Sequence, residues 1–475
     1  MKNIYIFLFF YFVIQIYCIE EEQEDGNILL KMSGKKIDIN LKGDKITNKH
    51  YYTVPLKIGT PPKIFDVQID TSSSTSWLPS IKCKNCKYSK NFYDESQSST
   101  SYNVKGEEIE LEDEDGDLEG YQINDNIELN GYKLTNFSFV QATELDDDFK
   151  DHFDGKLGLG YRGKSKNFSF LDRLKNDGLI SKKIFSINQV NETKGYLYIG
   201  DITAKHYDYC NVSLVEDLDD IYKESWICDL THAGIFQGKK GISKHLTDYT
   251  VISNGKVDFD SAYEYIAVPI HYRSLIEELL HKANLNCETN ENEIKAMKEQ
   301  KKDKKGLKYK YNDEEISIKC KISQNELHKK DLVFSFVLQG KVYSLPLHSL
   351  FFSDEVDGKL EMKIKYIDDD DAIWTFGYPF MSQFLMIFNM EKNHVGIKTI
   401  PKSSISIVNL AKEWNDWNEV ANNFFYKKID ITAIIIIASI LFTILIIIVV
   451  VLVWRSYKKT NTNEQNNKVI ELQKI

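Results

Sequence analysis

The stretch IFDVQIDTSSSTSWLPS (residues 64–80) is echoed far downstream by GKVDFDSAYEYIAVP (residues 255–269). In each, an apolar β-prone run ends in an aspartate, Asp70 or Asp260, followed by a hydroxyl residue, Thr71 or Ser261, and then by a small one, Ser72 or Ala262. Each copy is followed by an apolar pair and a glycine beside an aromatic, DGKLGLGY (154–161) in the first case and WTFGYPF (374–380) in the second. A duplicated pattern of this kind predicts two similar lobes, each delivering one carboxylate.

Short β-rich runs such as YLYIGDIT and MIFNMEKNHVGIK alternate with Gly, Pro, Asn and Asp clusters, so the body is mostly β. Helical periodicity is confined to NFSFLDRLKNDG and YRSLIEELLHKANL. Between Cys287 and Cys320 the chain is charged and poor in apolar residues, which predicts an elongated surface loop tied at its base. A formal net charge of -10 argues against nucleic acid as a partner, because phosphate binding needs a basic face. The Lys-rich stretch at 298–310 is short and interleaved with acids, as a solvated face would be.

The two ends bound the compartment. Residues 1–18 combine Lys2, an apolar run and Cys18, the pattern of a signal peptide. Residues 431–454 carry no charge over 24 positions, enough for one transmembrane helix. Together they predict a single-pass type I protein of the secretory pathway, lumenal or extracellular up to the span. The expected order is a signal peptide (1–18), a leader or short pro-segment (19–50), an N-terminal lobe (51–225), a C-terminal lobe (226–402), a juxtamembrane stem (403–430), the span (431–454) and a cytosolic tail (455–475).

Six cysteines remain after the signal: Cys83, Cys86, Cys210, Cys228, Cys287 and Cys320. An even number in this compartment predicts three disulfides, with the connectivity open. As half of a zinc site, CKNC would need a second close pair, which the sequence lacks. Sequons at Asn136, Asn167, Asn191 and Asn211 are candidate glycosylation sites.

YYTVPLKIGTPPKIFDVQIDT, SWLPS, DGKLGLGY, FDSAYEYIAVP and WTFGYPFMSQFLMIFNMEKNHVGI occur in one order over most of residues 50 to 400. In these motifs the chain resembles the pepsin-like aspartic peptidases, mostly β bilobal proteins with a central cleft, and its C-terminal anchor resembles that of membrane-bound members, including apicomplexan ones. The resemblance implies Asp70 and Asp260 as a catalytic dyad. Carboxylates held about 3 Å apart share a proton, so that one acts as base toward a water and the other as acid toward the peptide carbonyl. No metal or other cofactor is implied. Thr71 and Ser261 would bond across to the opposing loop, and Ser73 would support Asp70 through its hydroxyl.

Departures from the family pattern are local. Ser72 and Ala262 replace loop glycines, where a Cβ crowds a tight turn and is strained if φ is positive. Tyr263 and Glu264 replace small hydroxyl residues, and Tyr263 falls where the partner of Asp260 is expected. The flap, the hairpin over the cleft, maps to residues 107–131, with Asp113 in place of the flap tyrosine, Gly116 beside it and Trp77 retained. The acidic run Glu107, Glu108, Glu110, Glu112, Asp113, Glu114, Asp115 and Asp117 either attracts basic substrates or is a solvated hairpin, and the second is the simpler account of such a run.

The expected function is a membrane-anchored aspartic endopeptidase acting at acidic pH on a polypeptide held in the cleft, as a monomer. The alternative is a catalytically impaired relative that binds peptides or proteins through the same cleft. A signalling receptor fits poorly, since residues 455–475 contain no catalytic or strong docking motif. The serine cluster 72–74 lacks the G-x-S-x-G turn of a serine nucleophile.

Overall fold

A computed structural model describes residues 49–410 except 88, 105, 107, 114–115, 147–152, 162–168, 192–193, 201–206, 214–221, 223, 239–241, 291–315, 368–371 and 401–405, together with 23–24, 27–28 and 36–46. The signal peptide, the span, the tail and Asn167 therefore lie outside the described residues. Among those described, no helix is long and apolar enough to cross a membrane.

Strands dominate, as the alternating pattern predicts, and most belong to a 14-stranded and a 12-stranded sheet. In the first half of the chain they include β1 (Lys36–Ile46), β2 (Lys49–Ile58), β3 (Lys63–Asp70), β4 (Trp77–Lys84), β5 (Ile109–Asp113), β6 (Gly116–Leu129), β7 (Tyr132–Leu145), β8 (Lys156–Gly158), β9 (Ile184–Asn191) and β10 (Lys194–Gly200). The second half includes β11 (Ile227–Gln237), β12 (Lys256–Phe259), β13 (Ile266–Pro269), β14 (Lys359–Ile367), β15 (Ile373–Phe376), β16 (Phe384–Asn389) and β17 (His394–Thr399).

The duplicated sequence pattern becomes a duplicated topology. β3 ends at Asp70 and pairs in parallel with β8, setting Gly158 opposite Asp70, while β8 pairs antiparallel with β4 and β4 in parallel with β7. In the second half, β12 leads into Asp260 and pairs in parallel with β15, β15 pairs antiparallel with β13, and β13 in parallel with β14. Each aspartate thus sits at the carboxyl end of a strand braced by the apolar run of its own half. The order β3-β8-β4-β7 is repeated as β12-β15-β13-β14.

Sheet membership does not follow the linear division into lobes. β16 and β17, which the sequence assigns to the C-terminal lobe, form a hairpin that pairs with β9 of the first half. Ser406–Asn409, assigned to the stem, pairs with Lys341–Pro346 in the second sheet. β1, assigned to the leader, pairs with both β2 and β10.

Helices arise where apolar residues recur at helical spacing. Phe170–Asn176 (α1) buries Phe170, Leu171 and Leu174 and is capped by the Ser169 side chain. Arg273–Lys282 (α2) buries Ile276, Leu279 and Leu280 on one face. A further helix, Gln324–Lys330 (α3), starts at a capping box of Ser323 and Glu326; its polar sequence leaves only Leu327 buried, which is why periodicity does not reveal it.

Behind the second aspartate the core is aromatic: Phe376 stacks on Phe380 at 4.4 Å and Phe336 lies 4.8 Å from Phe376. Burying each such ring contributes about 1.5–3 kcal/mol. The disulfides are Cys83–Cys86, Cys210–Cys228 and Cys287–Cys320. Cys287 and Cys320 are also directly opposed in an antiparallel strand pair, which ties the base of the charged segment as expected.

Candidate active site

Asp70 and Asp260 are both buried, at 1% and 0% exposure, although each is a carboxylate. Burial of such groups is tolerable only where hydrogen bonds replace water. The Oδ1 of Asp70 accepts from the backbone N–H groups of Ser72 (2.7 Å) and Ser73 (3.2 Å) and from the Ser72 hydroxyl (2.8 Å). The Oδ1 of Asp260 accepts from the Ala262 N–H at 2.8 Å.

The two loops are stitched together through the hydroxyls that follow each aspartate. Thr71 Oγ1 donates to the Phe259 carbonyl (2.7 Å) and accepts the Ser261 N–H (2.9 Å), while Ser261 Oγ donates to the Ile69 carbonyl (2.8 Å). Every one of these bonds joins a neighbour of one aspartate to a neighbour of the other. Gln68 adds a further crossing, its Nε2 donating to the Ala262 carbonyl at 3.2 Å. Both hydroxyls thus bond across to the opposing loop.

Ser73 behaves differently from the expectation. Its backbone N–H serves Asp70, but its hydroxyl accepts the Thr75 N–H at 3.1 Å and lies 3.5 Å from Glu224 Oε2. The hydroxyl donor to Asp70 is instead Ser72, the residue in the glycine position. Being closer along the chain, it reaches Oδ1 within its own turn.

The concern about strain at the replaced glycines is also corrected. The non-glycine residues with left-handed φ include Asn85, Asn130 and Ala372, but neither Ser72 nor Ala262. Without a positive φ, their Cβ atoms carry no left-handed penalty.

Glycine is needed one layer behind. A Cβ on Gly158 would lie 2.5 Å from the Ser74 carbonyl carbon, and one on Gly160 would lie 2.6 Å from that of Ser73. Gly377 is equally tight, with the Tyr263 carbonyl oxygen 2.2 Å from where a Cβ would lie. The glycines in DGKLGLGY and WTFGYPF therefore let a second strand pass against the back of each aspartate loop.

Tyr263 is buried in an apolar cluster with Tyr265, Ala267, Phe352 and Ile367, its ring 5.9 Å from that of Tyr265. Its carbonyl accepts the Tyr378 N–H at 2.8 Å, which fixes the backbone after Asp260. In the segment of the predicted flap, β5 and β6 pair antiparallel up to Asp113 opposite Gly116. Ile109 and Leu111 pack on the cluster containing Trp77 and Phe153, whereas Glu108 and Glu110 point to solvent. That alternation favours the solvated account of the acidic run for these two residues.

Sequence reasoning missed two buried side chains around the Asp70 loop. Glu224 is buried and its carboxylate accepts the Ser74 N–H (2.7 Å) and hydroxyl (2.8 Å). Lys156 is buried on β8 directly opposite Gln68, and its ammonium lies 5.9 Å from the Phe153 ring. The available signal was a lysine inside the otherwise apolar run KLGLG. Glu224 gave none, because nothing local links it to the serine cluster. Of the sequons, Asn136 and Asn211 are exposed, and Asn191 ends β9.

A family model described as "Eukaryotic aspartyl protease" matches residues 51–400. The chain is similar to plasmepsin VII from Plasmodium berghei, 26% identical over 405 residues that cover 79% of this chain and 77% of the relative. It is also similar to renin from Echis ocellatus, 25% identical over 366 residues covering 73% of this chain and 80% of the relative. Shorter alignments are more identical: 33% over 167 residues for the same renin, spanning 42% of it, and 33% over 167 residues for procardosin-B from Cynara cardunculus, spanning 33% of it. The duplicated aspartate loops, their crossed hydroxyl bonds and the match over residues 51–400 lead to one assignment: the chain belongs to the eukaryotic aspartyl protease family.

Proposed function

We propose that the protein is a membrane-anchored aspartic endopeptidase that hydrolyses peptide bonds with a water activated by Asp70 and Asp260. The observation that carries this is the set of crossed bonds from Thr71 and Ser261, which tie the residues flanking Asp70 to those flanking Asp260. A merely structural pair of loops would not need two buried carboxylates at this junction.

Three donors on Oδ1 favour negative charge on Asp70, which suits it to the role of base. Asp70 would take a proton from the water as the oxygen attacks the peptide carbonyl, and Asp260 would give its proton to the carbonyl oxygen. Collapse of the resulting diol breaks the C–N bond, and a proton passes to the leaving amine. The pair titrates as a unit, which sets the working range in mildly acidic solution.

The second function, a peptide- or protein-binding ectodomain, is favoured by one observation. Tyr263, at the place of the expected partner of Asp260, is buried among aromatic and aliphatic side chains. Localisation in the secretory pathway is supported by the disulfides, and type I topology with glycosylation at the exposed Asn136 and Asn211 is proposed from the sequence.

The deciding experiment is cleavage of a diverse peptide library by the full-length protein between about pH 3.5 and 7, alongside Asp70→Asn and Asp260→Asn. Cleavage lost in either variant establishes the peptidase. A folded wild type that releases no Asp-dependent products, yet retains peptides on a column, establishes the binder.

A further inference from the structure

Taking the peptidase reading as its basis, we propose that Glu224 is a positioning residue for Asp70, acting through the Ser73–Ser74 backbone. Glu224 is 5% exposed and comes from YKESW, the segment that leads into β11. It reaches a serine 150 positions away in sequence, accepting the Ser74 N–H at 2.7 Å and the Ser74 hydroxyl at 2.8 Å through a single oxygen, Oε2. The Ser73 hydroxyl completes the set at 3.5 Å. Bonds to an ionised acceptor are the strong ones, so this is a firm anchor for the loop.

The same segment holds the loop at further points. The Glu224 carbonyl accepts the Tyr161 N–H at 2.6 Å, and the Ser225 hydroxyl reaches the Ser72 carbonyl at 3.5 Å. Tyr161 in turn packs edge-on against Trp226 at 4.9 Å. Residues 72–74 are therefore gripped from behind by 224–226 while the Ser72 and Ser73 N–H groups and the Ser72 hydroxyl face Asp70.

The consequence is geometric. Ser73 gives its N–H to Asp70 Oδ1 at 3.2 Å, and the peptide that follows it is the one bonded to Glu224. Releasing Glu224 frees that peptide, and the donors on Asp70 move with it. Substrate binding elsewhere in the cleft is untouched, so the loss falls on the chemical step. A carboxylate that only stapled a loop for folding would leave turnover by the folded protein unchanged.

The test compares full-length wild type with Asp70→Asn, Glu224→Ala, Glu224→Gln and Ser74→Ala on one cleaved peptide, each variant first shown to be folded by its thermal unfolding. Wild-type cleavage that Asp70→Asn abolishes upholds the peptidase reading on its own. Glu224→Ala is then expected to lower kcat about 30-fold or more with KM changed less than about threefold. Glu224→Gln keeps one acceptor oxygen and recovers at least about tenfold of the loss. A folded Glu224→Ala with kcat within about twofold of wild type overturns the proposal while the peptidase reading stands. If Glu224→Ala does not fold, Ser74→Ala decides, with a kcat loss of about threefold to tenfold expected and an unchanged kcat overturning the proposal. Should wild type cleave nothing, the peptidase reading fails separately, and amide hydrogen exchange at Ser72–Ser74 judges the anchor: faster in Glu224→Ala than in Glu224→Gln upholds it, and equal rates overturn it.

Discussion

The hydroxyl of Thr71 accepts the backbone N–H of Ser261 at 2.9 Å and donates to the Phe259 carbonyl at 2.7 Å, so one side chain occupies both backbone groups that flank Asp260. Thr71 is fully buried, and no solvent can substitute for it. Replacing Thr71 by Val preserves its shape and removes both bonds. We expect a loss of about 2–3 kcal/mol in unfolding free energy from the two stranded backbone groups, together with at least a hundredfold fall in kcat as the loops part. Denaturant titration and steady-state kinetics on the same preparation check both.

Ser72 stands where the family carries glycine, yet its hydroxyl lies 2.8 Å from Asp70 Oδ1 and its φ is not left-handed. Restoring glycine should therefore bring no gain. Both Ser72→Gly and Ser72→Ala remove a donor that favours the charged carboxylate, so the acid limb of the kcat/KM profile should move to higher pH by about half a unit to one unit. An unchanged limb in both variants would mean that the hydroxyl does not act on Asp70.

Gly158 sits opposite Asp70, with the Ser74 backbone 2.5 Å from where a Cβ would be. Because the obstacle is backbone, it cannot rotate away. Gly158→Ala should cost about 3 kcal/mol and displace the Ser72–Ser74 donors, so that cleavage falls even in the folded fraction. Gly131→Ala is the control for a glycine whose Cβ meets nothing within 4 Å, although its φ of +85° makes it a test of strain alone.

His232 is buried in β11, and burial holds its pKa down to about 4 from 6.5; His394, beneath Tyr207 and Tyr209, is likewise held at about 4 by burial and by Lys392. Above pH 6.5 both are neutral whether folded or unfolded, and stability is unaffected. Between pH 6.5 and 4 the unfolded chain binds protons that the folded one does not, so stability falls on acidification and levels off below about pH 4. The penalty is on the order of 2 kcal/mol for each residue after allowance for partial solvent access. His232→Gln should flatten the dependence of unfolding free energy on pH between 7 and 4.5, and an unaltered slope would exclude this residue as its source.

Much of the molecule was legible in the sequence because it is written in local pattern. Strands show as alternating apolar residues, α1 and α2 as helical periodicity, and the two aspartate loops as a repeated string of Asp, hydroxyl and small residue. The expectation of two lobes that each deliver one aspartate loop followed from that repetition, and bonds from Thr71 and Ser261 join the two loops. α3 escaped because a polar helix carries its signal in its cap rather than in its period.

What the sequence by itself determined is thus the set of elements and the chemistry placed at the end of two strands. Tertiary structure alone decided which groups meet there. Ser72 rather than Ser73 gives its hydroxyl to Asp70, the hairpin of β16 and β17 joins β9, and Glu224 lies against Ser74 across 150 positions of chain. Such contacts depend on where separate elements come to rest. A hydrogen bond of 2.7 Å is set by packing and register, and neither is encoded in the residues next to it.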